Sequence, residues 1–157
     1  LENQIKLYPF ALSDGEKNCK VYSDKNNVAD GNVFCENFPR EDDLVYVFRE
    51  DIVTKRLDTY LPKKNFVLMK MDIEDHEYFA FKGMQNYFSR NCIRYILFEL
   101  SSHFATREYW EYLNRNGYTI YSDFQMKRVV TKEEFISYKH KNFRKDFIAH
   151  NSNCIVK

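Results

Sequence analysis

One segment constrains the fold of this chain most strongly, because in it an apolar run leads directly into a group of carboxylates. Residues 66–71 have the composition of a β-strand, and they are followed at once by Asp72, Glu74, Asp75 and Glu77. Apolar residues at helical spacing come next. Strand, acidic turn and helix form half of a βαβ unit. Because ligands bind outside the carboxyl ends of strands in an open parallel sheet, the sequence predicts that these acids border a binding crevice.

Length and composition indicate one globular domain spanning residues 1–157. Hydrophobic residues make up 44% and charged residues 30% of the chain, a balance typical of folded proteins. The net charge is +1, from 24 basic and 23 acidic residues, which gives no support to a nucleic-acid partner. No apolar run approaches the ~18 residues of a membrane span. The first residues lack the pattern of a signal peptide, so a cytoplasmic location is the default expectation.

The cysteines contain no C-x-x-C pair, so the sequence does not predict a zinc or redox motif. The four are widely spaced: Cys19, Cys35, Cys92 and Cys154. Free thiols in a reducing compartment are the favoured interpretation. Two disulfides in a protein of the secretory pathway are the alternative.

Strand and helix patterns alternate along the chain, which predicts an α/β three-layer fold. Residues 24–43 are rich in Asn, Asp and Glu and read as a long loop. Strands are predicted at 4–12, 20–23, 44–53, 66–73, 93–100 and 118–123, with a last one near the carboxyl terminus. Helices are predicted at 56–62 (or a turn there), 75–90, 106–116 and 132–141. Gly117 supplies the C-terminal cap of the third helix.

The stretch KMDIEDHEYFAFKG resembles the signature of the FkbM family of methyltransferases, K-[IV]-D-[VI]-E-G-x-E-x-x-x-L-x-G. Five residues occupy its fixed positions: Lys70, Asp72, Glu74, Glu77 and Gly83. The chain departs from the signature where Asp75 replaces a glycine and Phe81 a leucine. Weaker similarities to the family lie on both sides, in the right order, at residues 8–22, 55–61, 95–100 and 116–121.

The resemblance implies a three-layer, Rossmann-like sheet that is mostly parallel and has an antiparallel last strand. Residues 4–12 match the third strand of that fold, so the chain is expected to be an N-terminally truncated, C-terminal part of a methyltransferase domain. The glycine-rich cofactor loop of the fold, D-x-G-A-N-x-G, does not occur among these 157 residues.

The resemblance also implies S-adenosylmethionine as cofactor and a small-molecule or glycan hydroxyl as acceptor. Asp72 is expected to contact the cofactor or to orient the acceptor, with Glu74 as general base and Glu99 as a third catalytic acid on the same rim. Ala11, Leu12 and Ser13 are expected to lie beside the adenine ring, unless they form an ordinary strand end.

Simpler roles and other functions stay open at this point. Asp75 and Glu77 can act as helix N-terminal acids. A non-catalytic interaction domain derived from the same fold is the second interpretation, favoured by the absent glycine loop. A metal-dependent hydrolase is the third, with ligands drawn from Asp72, Glu74, His76, Glu99 and His103. Their spacing matches no ligand signature, so no metal is predicted.

Overall fold

The computed structural model describes residues 4–39, 45–61, 65–74, 76–90, 93–100, 106–138 and 145–155. These residues form eight strands and five helices, and the strands make two four-stranded sheets. Among the residues considered above, Asp75, Cys92 and His103 lie outside the described ranges.

The first sheet, here called the hairpin sheet, has the strand order β1-β4-β2-β3. Its strands are β1 (Ala11–Leu12), β2 (Lys17–Asp24), β3 (Asn27–Phe34) and β4 (Tyr46–Lys55). Only the β1–β4 pair is parallel. Of the predicted strand at 4–12, only Ala11–Leu12 forms a strand. The predicted loop at 24–43 was wrong for β3, because pairing with β2 outweighs the low β-propensity of Asn, Asp and Gly.

A disulfide joins Cys19 and Cys35, so the favoured interpretation of free thiols was wrong for these two residues. The antiparallel register pairs Lys20 with Phe34, and it thereby brings the two cysteines opposite each other on neighbouring strands. The pairing was not apparent from the sequence because β3 was not predicted. Cys154 is buried.

The second sheet, here called the core sheet, has the order β5-β6-β8-β7. Its strands are β5 (Phe66–Met71), β6 (Ile93–Leu100), β7 (Thr119–Tyr121) and β8 (Lys145–His150). The last strand is antiparallel to both neighbours, as expected. A single, mostly parallel sheet is not confirmed, because four of the six strand pairs described are antiparallel.

The helices are α1 (Leu57–Tyr60), α2 (Glu77–Lys82), α3 (Gln85–Ser89), α4 (Thr106–Arg115) and α5 (Lys132–Ser137). The predicted helix at 75–90 is two helices that meet at Gly83. There the Gly83 carbonyl accepts from the Asp58 amide, and the Asp58 carboxylate accepts from the Asn86 amide of α3. Gly117 has φ +82° and ends α4 as predicted. Among the described helices, none is long and apolar enough to cross a membrane.

A cluster of buried aromatic rings forms the centre of the core sheet. Phe98 is 0% exposed, and its ring lies 5.8 Å from that of Phe147 and 6.1 Å from that of Phe81. β5 differs, since Val67 and Leu68 are 56% and 60% exposed. The reason is that β5 lies at one edge of the sheet among the described strands, and it is covered mainly near Met71.

Polar contacts join the two sheets at one junction. Arg56 follows β4 and makes a bidentate pair with the buried carboxylate of Asp58, at 3.1 and 2.9 Å. The same guanidinium donates to the carbonyls of Asp14 and Lys82. Asp14 also accepts from Lys82 Nζ at 3.0 Å. The end of β1 is thereby held against the end of α2.

Candidate functional site

Three acids from separate segments lie together at the carboxyl end of β5. Asp72 and Glu74 follow β5, and Glu99 lies near the end of β6. One carboxylate oxygen from each lies within 4.8 Å of those of the other two. Because β5 and β6 run parallel, their carboxyl ends meet at the same edge of the sheet. The structure thus brings together the three predicted catalytic residues.

Asp72 is paired with a lysine on the same strand face. Lys70 Nζ lies 2.8 Å from Asp72 Oδ2, and the Asp72 side chain is 44% exposed. The hydrogen bond and charge of Asp72 raise the pKa of Lys70 above its ordinary value, and Asp146 and Glu99 add to this. Asp72 stays partly accessible to solvent because it follows β5, an edge strand among the described strands.

The turn after β5 holds Glu74 in an uncommon backbone conformation. Its φ is +51°, in the left-handed region that non-glycine residues seldom adopt. Glu77, buried at the start of α2, accepts a hydrogen bond of 3.1 Å from the Ile73 amide. Glu77 therefore stabilises this turn, in keeping with a structural role. Such conformations persist where surrounding contacts fix them, and they cluster at functional sites.

A cavity of about 470 Å³ lies beside the acids. We call it the β1 cavity, because Ala11 and Leu12 form part of its wall, with apolar residues of β3 beside them. Asp72, Glu74 and His76 line it as well. Of the four predicted cofactor-binding residues, the structure places Ala11, Leu12 and Asp72 on this one cavity.

Ser13 lines a neighbouring cavity instead. Its side chain is buried, and its hydroxyl lies 3.0 Å from His76 Nε2. Its carbonyl oxygen would lie 1.9 Å from a Cβ atom placed on Gly83, so only glycine allows this approach. Ser13 therefore holds the end of β1 against the turn between α2 and α3.

We call this neighbour the disulfide cavity. It measures about 540 Å³. Cys35 is part of its wall, as are Ser13 and Phe79. Glu74 and His76 line both cavities, so the two spaces meet at these residues.

Sequence reasoning considered His76 only as a possible metal ligand and did not predict that it lines both cavities, as Glu74 does. Burial lowers the pKa of His76 below its ordinary value, against the opposing charge of Asp14. The imidazole is therefore neutral at neutral pH and stacks on Phe79 at 5.0 Å between centroids. Its contact with Ser13 spans 63 residues of chain, and no local pattern predicts a contact over that separation.

Two kinds of ligand fit these residues. Carboxylate oxygens are the donors that Mg²⁺ and Mn²⁺ prefer, so the three acids can hold such an ion. The β1 cavity suits an organic cofactor, since its volume lies within the ~300–1,000 Å³ of ligand pockets. Its wall is partly apolar and its acidic residues would attract a positively charged group.

The comparisons with known proteins add the family. The "Methyltransferase FkbM domain" matches residues 2–120, which include all three acids and both segments that line the β1 cavity. The chain belongs to the FkbM methyltransferase domain family. Comparisons with curated proteins and with solved structures gave no significant match. The matched region of this FkbM domain begins before β1 and ends in the middle of β7. It therefore includes the hairpin sheet and part of the core sheet.

Proposed function

We propose that this FkbM domain is an S-adenosylmethionine-dependent methyltransferase that acts on a hydroxyl group. One observation carries the proposal: the acids at positions 72 and 74 border the same cavity as Ala11 and Leu12. A cofactor in the β1 cavity then has apolar walls for its base and carboxylates near its charged end. That the chain is the carboxyl-terminal part of a larger methyltransferase domain stays a prediction.

The bound cofactor supplies an electrophilic methyl group on a positively charged sulfur. The acidic cluster favours binding of that charge, and Lys70 pairs with Asp72 beside it. Ala11 and Leu12 line one side of the site, where they would exclude water from a bound cofactor. The chain's own contribution is therefore mainly binding and alignment, which can supply most of the acceleration in such a transfer.

Glu74 is placed to take the proton of the acceptor hydroxyl. It lines both cavities, so it can face a cofactor on one side and an acceptor on the other. The bound cofactor would supply the methyl group that the acceptor hydroxyl attacks. The Glu74 carboxylate would accept the proton that the hydroxyl releases. Such general base catalysis contributes a smaller factor than alignment, and Glu99 adds to the negative potential nearby.

Substitution of Asp72 tests the proposal. We expect Asp72→Asn to abolish methyl transfer and to weaken S-adenosylmethionine binding in calorimetry, because a carboxylate facing the cofactor's charge is lost. Circular dichroism should show an unchanged fold, since the side chain is half-exposed. Glu108→Gln, an exposed acid on α4, is the matched control and should bind like wild type. Full turnover by Asp72→Asn would remove this residue from the mechanism.

A metal-dependent hydrolase is a second candidate, favoured by the 4.8 Å grouping of Asp72, Glu74 and Glu99. An ion held there can activate a water molecule for attack. Thermal shift assays with MgCl₂ and MnCl₂ distinguish the candidates. Stabilisation by either metal in wild type, lost in Glu99→Gln, supports the hydrolase; no shift in wild type argues against it.

The disulfide also bears on the cellular compartment in which we propose that the protein resides. Disulfides persist in oxidising compartments and are rare in the cytosol. The Cys19–Cys35 bond therefore favours an oxidising compartment over the cytoplasm that the sequence suggested by default. Thiol labelling of the protein taken from its source cells tests this, and full labelling of both cysteines without reductant would contradict it.

A further inference from the structure

The Cys19–Cys35 disulfide lies where the described pairing of β2 with β3 stops. That ladder ends at the pair formed by Lys20 and Phe34, and Cys35 is the next residue along the chain. The disulfide therefore continues the attachment of this segment to β2 after the backbone pairing has ended. Residues 35–37 line the disulfide cavity. The bond thus holds part of the wall of this cavity in place.

The wall that this bond holds is continuous with the wall of the β1 cavity. Val33 lies two residues before Cys35 and lines both cavities, as Glu74 and His76 do. A shift of the end of β3 would therefore change the shape of both spaces. Because a bound molecule contacts its pocket over most of its surface, such a change should lower the affinity for a ligand of the β1 cavity.

The two cysteines differ in their accessibility. Cys19 is 2% exposed, whereas Cys35 is partly exposed and lines the disulfide cavity. Thiol–disulfide exchange requires access of the attacking thiolate to one of the two sulfur atoms. A reductant can therefore attack the bond at Cys35, from the side of the cavity.

The structure also provides a partner for the thiol that reduction would release. The Cys19 sulfur lies 3.7 Å from the carbonyl oxygen of Lys17. A disulfide sulfur has no proton to donate, but a thiol at the same position can donate weakly to this oxygen. The buried Cys19 thiol would thus gain a hydrogen bond, which reduces the free energy needed to break the disulfide.

We propose that the Cys19–Cys35 bond is a redox-sensitive switch for cofactor binding, with the oxidised form binding more tightly than the reduced form. The reductant is a dithiol. Its thiolate attacks the Cys35 sulfur, the S–S bond breaks, and the electron pair passes to the Cys19 sulfur, which takes up a proton. The second thiol of the reductant then displaces Cys35 as a thiol, and the reductant becomes a disulfide. This inference rests on the proposed function for the identity of the ligand, S-adenosylmethionine.

Calorimetry tests the switch on the oxidised protein and on the protein reduced with dithiothreitol. We expect the Kd for S-adenosylmethionine to rise at least about tenfold on reduction. The Cys19→Ser, Cys35→Ser double variant should bind as weakly as the reduced wild type, with or without dithiothreitol. Cys154→Ser leaves the Cys19–Cys35 bond in place, so this matched control should show the same tenfold change as wild type.

Thermodynamic linkage supplies a second measurement. If reduction weakens cofactor binding tenfold, saturating cofactor must oppose reduction by the same factor. Wild type is equilibrated with a series of ratios of reduced to oxidised dithiothreitol, and the free thiols are then labelled. Saturating S-adenosylmethionine should raise the ratio at which half of the Cys19–Cys35 bond is reduced by about tenfold.

Hydrogen exchange distinguishes a switch from loss of the fold. Reduction should speed amide exchange in residues 33–37 and leave exchange in β6 unchanged. The far-ultraviolet circular dichroism of the reduced protein should also match that of the oxidised protein, because the two sheets keep their backbone pairing.

Three results would overturn the inference. Equal affinities of the oxidised and reduced forms would exclude the switch, and an unchanged midpoint of reduction in saturating cofactor would exclude the coupling. Faster exchange throughout β6 on reduction would show that the bond supports the whole fold rather than the cavities. Each of these leaves the proposed function intact, which fails instead if S-adenosylmethionine does not bind the oxidised protein.

Discussion

The two sheets of this FkbM domain are stabilised in different ways. In the core sheet, Phe98 lies completely buried among other aromatic rings. In the hairpin sheet, the rings of Tyr22 and Phe48 also pair, 5.7 Å apart, but Phe48 is largely exposed. The hairpin sheet depends more on backbone pairing and on the Cys19–Cys35 disulfide. Buried side chains thus stabilise the core sheet, whereas backbone pairing and a disulfide stabilise the hairpin sheet.

The difference matters because the candidate site lies between the two sheets. The acids come from the carboxyl ends of the core sheet, where burial of apolar groups fixes the backbone. Much of the wall of both cavities comes from β3 and the end of β1. The candidate acids therefore follow strands of the sheet with the buried aromatic centre, while the shape of the binding space depends on the disulfide-bonded sheet.

The largest expected effect is on the core sheet. Phe98→Ala should lower the free energy of unfolding by about 3–5 kcal/mol, since it removes a buried ring and leaves a cavity. Urea denaturation followed by circular dichroism measures this. Phe48→Ala is the matched control in the hairpin sheet, and we expect less than about 1 kcal/mol. Similar losses in both variants would show that the two sheets have comparable interiors.

Removal of the disulfide should have the next largest effect. The bond closes a loop with a sequence separation of 16 residues, so the Cys19→Ser, Cys35→Ser double variant should lose about 3 kcal/mol. Hydrogen exchange should rise in β2 and β3 much more than in β6. Dithiothreitol should destabilise wild type but leave the double variant unchanged. A variant as stable as wild type would show that backbone pairing alone holds the hairpin sheet.

The junction between the sheets should respond to one added methyl group. Gly83→Ala would place Cβ 1.9 Å from the Ser13 carbonyl oxygen, and we expect a loss of about 1–3 kcal/mol. Gly15→Ala is the control, because nothing lies within 4 Å of a Cβ atom there. Melting temperatures of the two variants provide the measurement. Equal values for both would mean that the end of β1 does not pack tightly on α2.

The smallest expected effect is on the ion pair across this junction. Burial by itself raises the pKa of Asp14, but Lys82 and Lys17 together hold that pKa below its ordinary value of 3.8. Asp14 therefore stabilises the fold above that value and loses the effect as pH falls through the lowered pKa. Asp14→Asn should cost less than about 1 kcal/mol near neutral pH.

Denaturation at a series of pH values tests this last prediction. The difference between wild type and Asp14→Asn should shrink to zero as the solution is acidified below the pKa of the carboxyl group. A difference that grows on acidification would show that the sign of the coupling is reversed. Lys17→Met should reduce the effect less than Lys82→Met, because Lys17 lies farther from Asp14, at 3.8 Å against 3.0 Å.

Strongly patterned elements could be predicted from the sequence. β6 occupies residues 93–100 as predicted, because a continuous apolar run between charged segments suits a central strand. α4 ends near Gly117 because that residue adopts a positive φ. The grouping of Asp72, Glu74 and Glu99 could also be anticipated, since it follows from the parallel pairing of two recognisable strands.

Elements that depend on distant partners could not be predicted in this way. β3 consists of residues with weak strand propensity and is a strand because β2 pairs with it. The interruption between α2 and α3 depends on Asp58, which lies far away in the chain. Asp72 is exposed because β5 has a neighbour on only one side among the described strands. The apolar sequence of β5 does not indicate this edge position.

The amino-acid sequence by itself determined the family, the separate strands and helices, and the acids that follow β5. Those features depend on local periodicity and on residue types at fixed spacing, and both are contained in short segments of the sequence. Only the tertiary structure decided the division into two sheets, the Cys19–Cys35 bond and the two cavities that meet at Glu74 and His76. These depend on contacts between residues far apart in the chain, and a pairing of that kind is selected by the free energy of the whole fold rather than by any one segment.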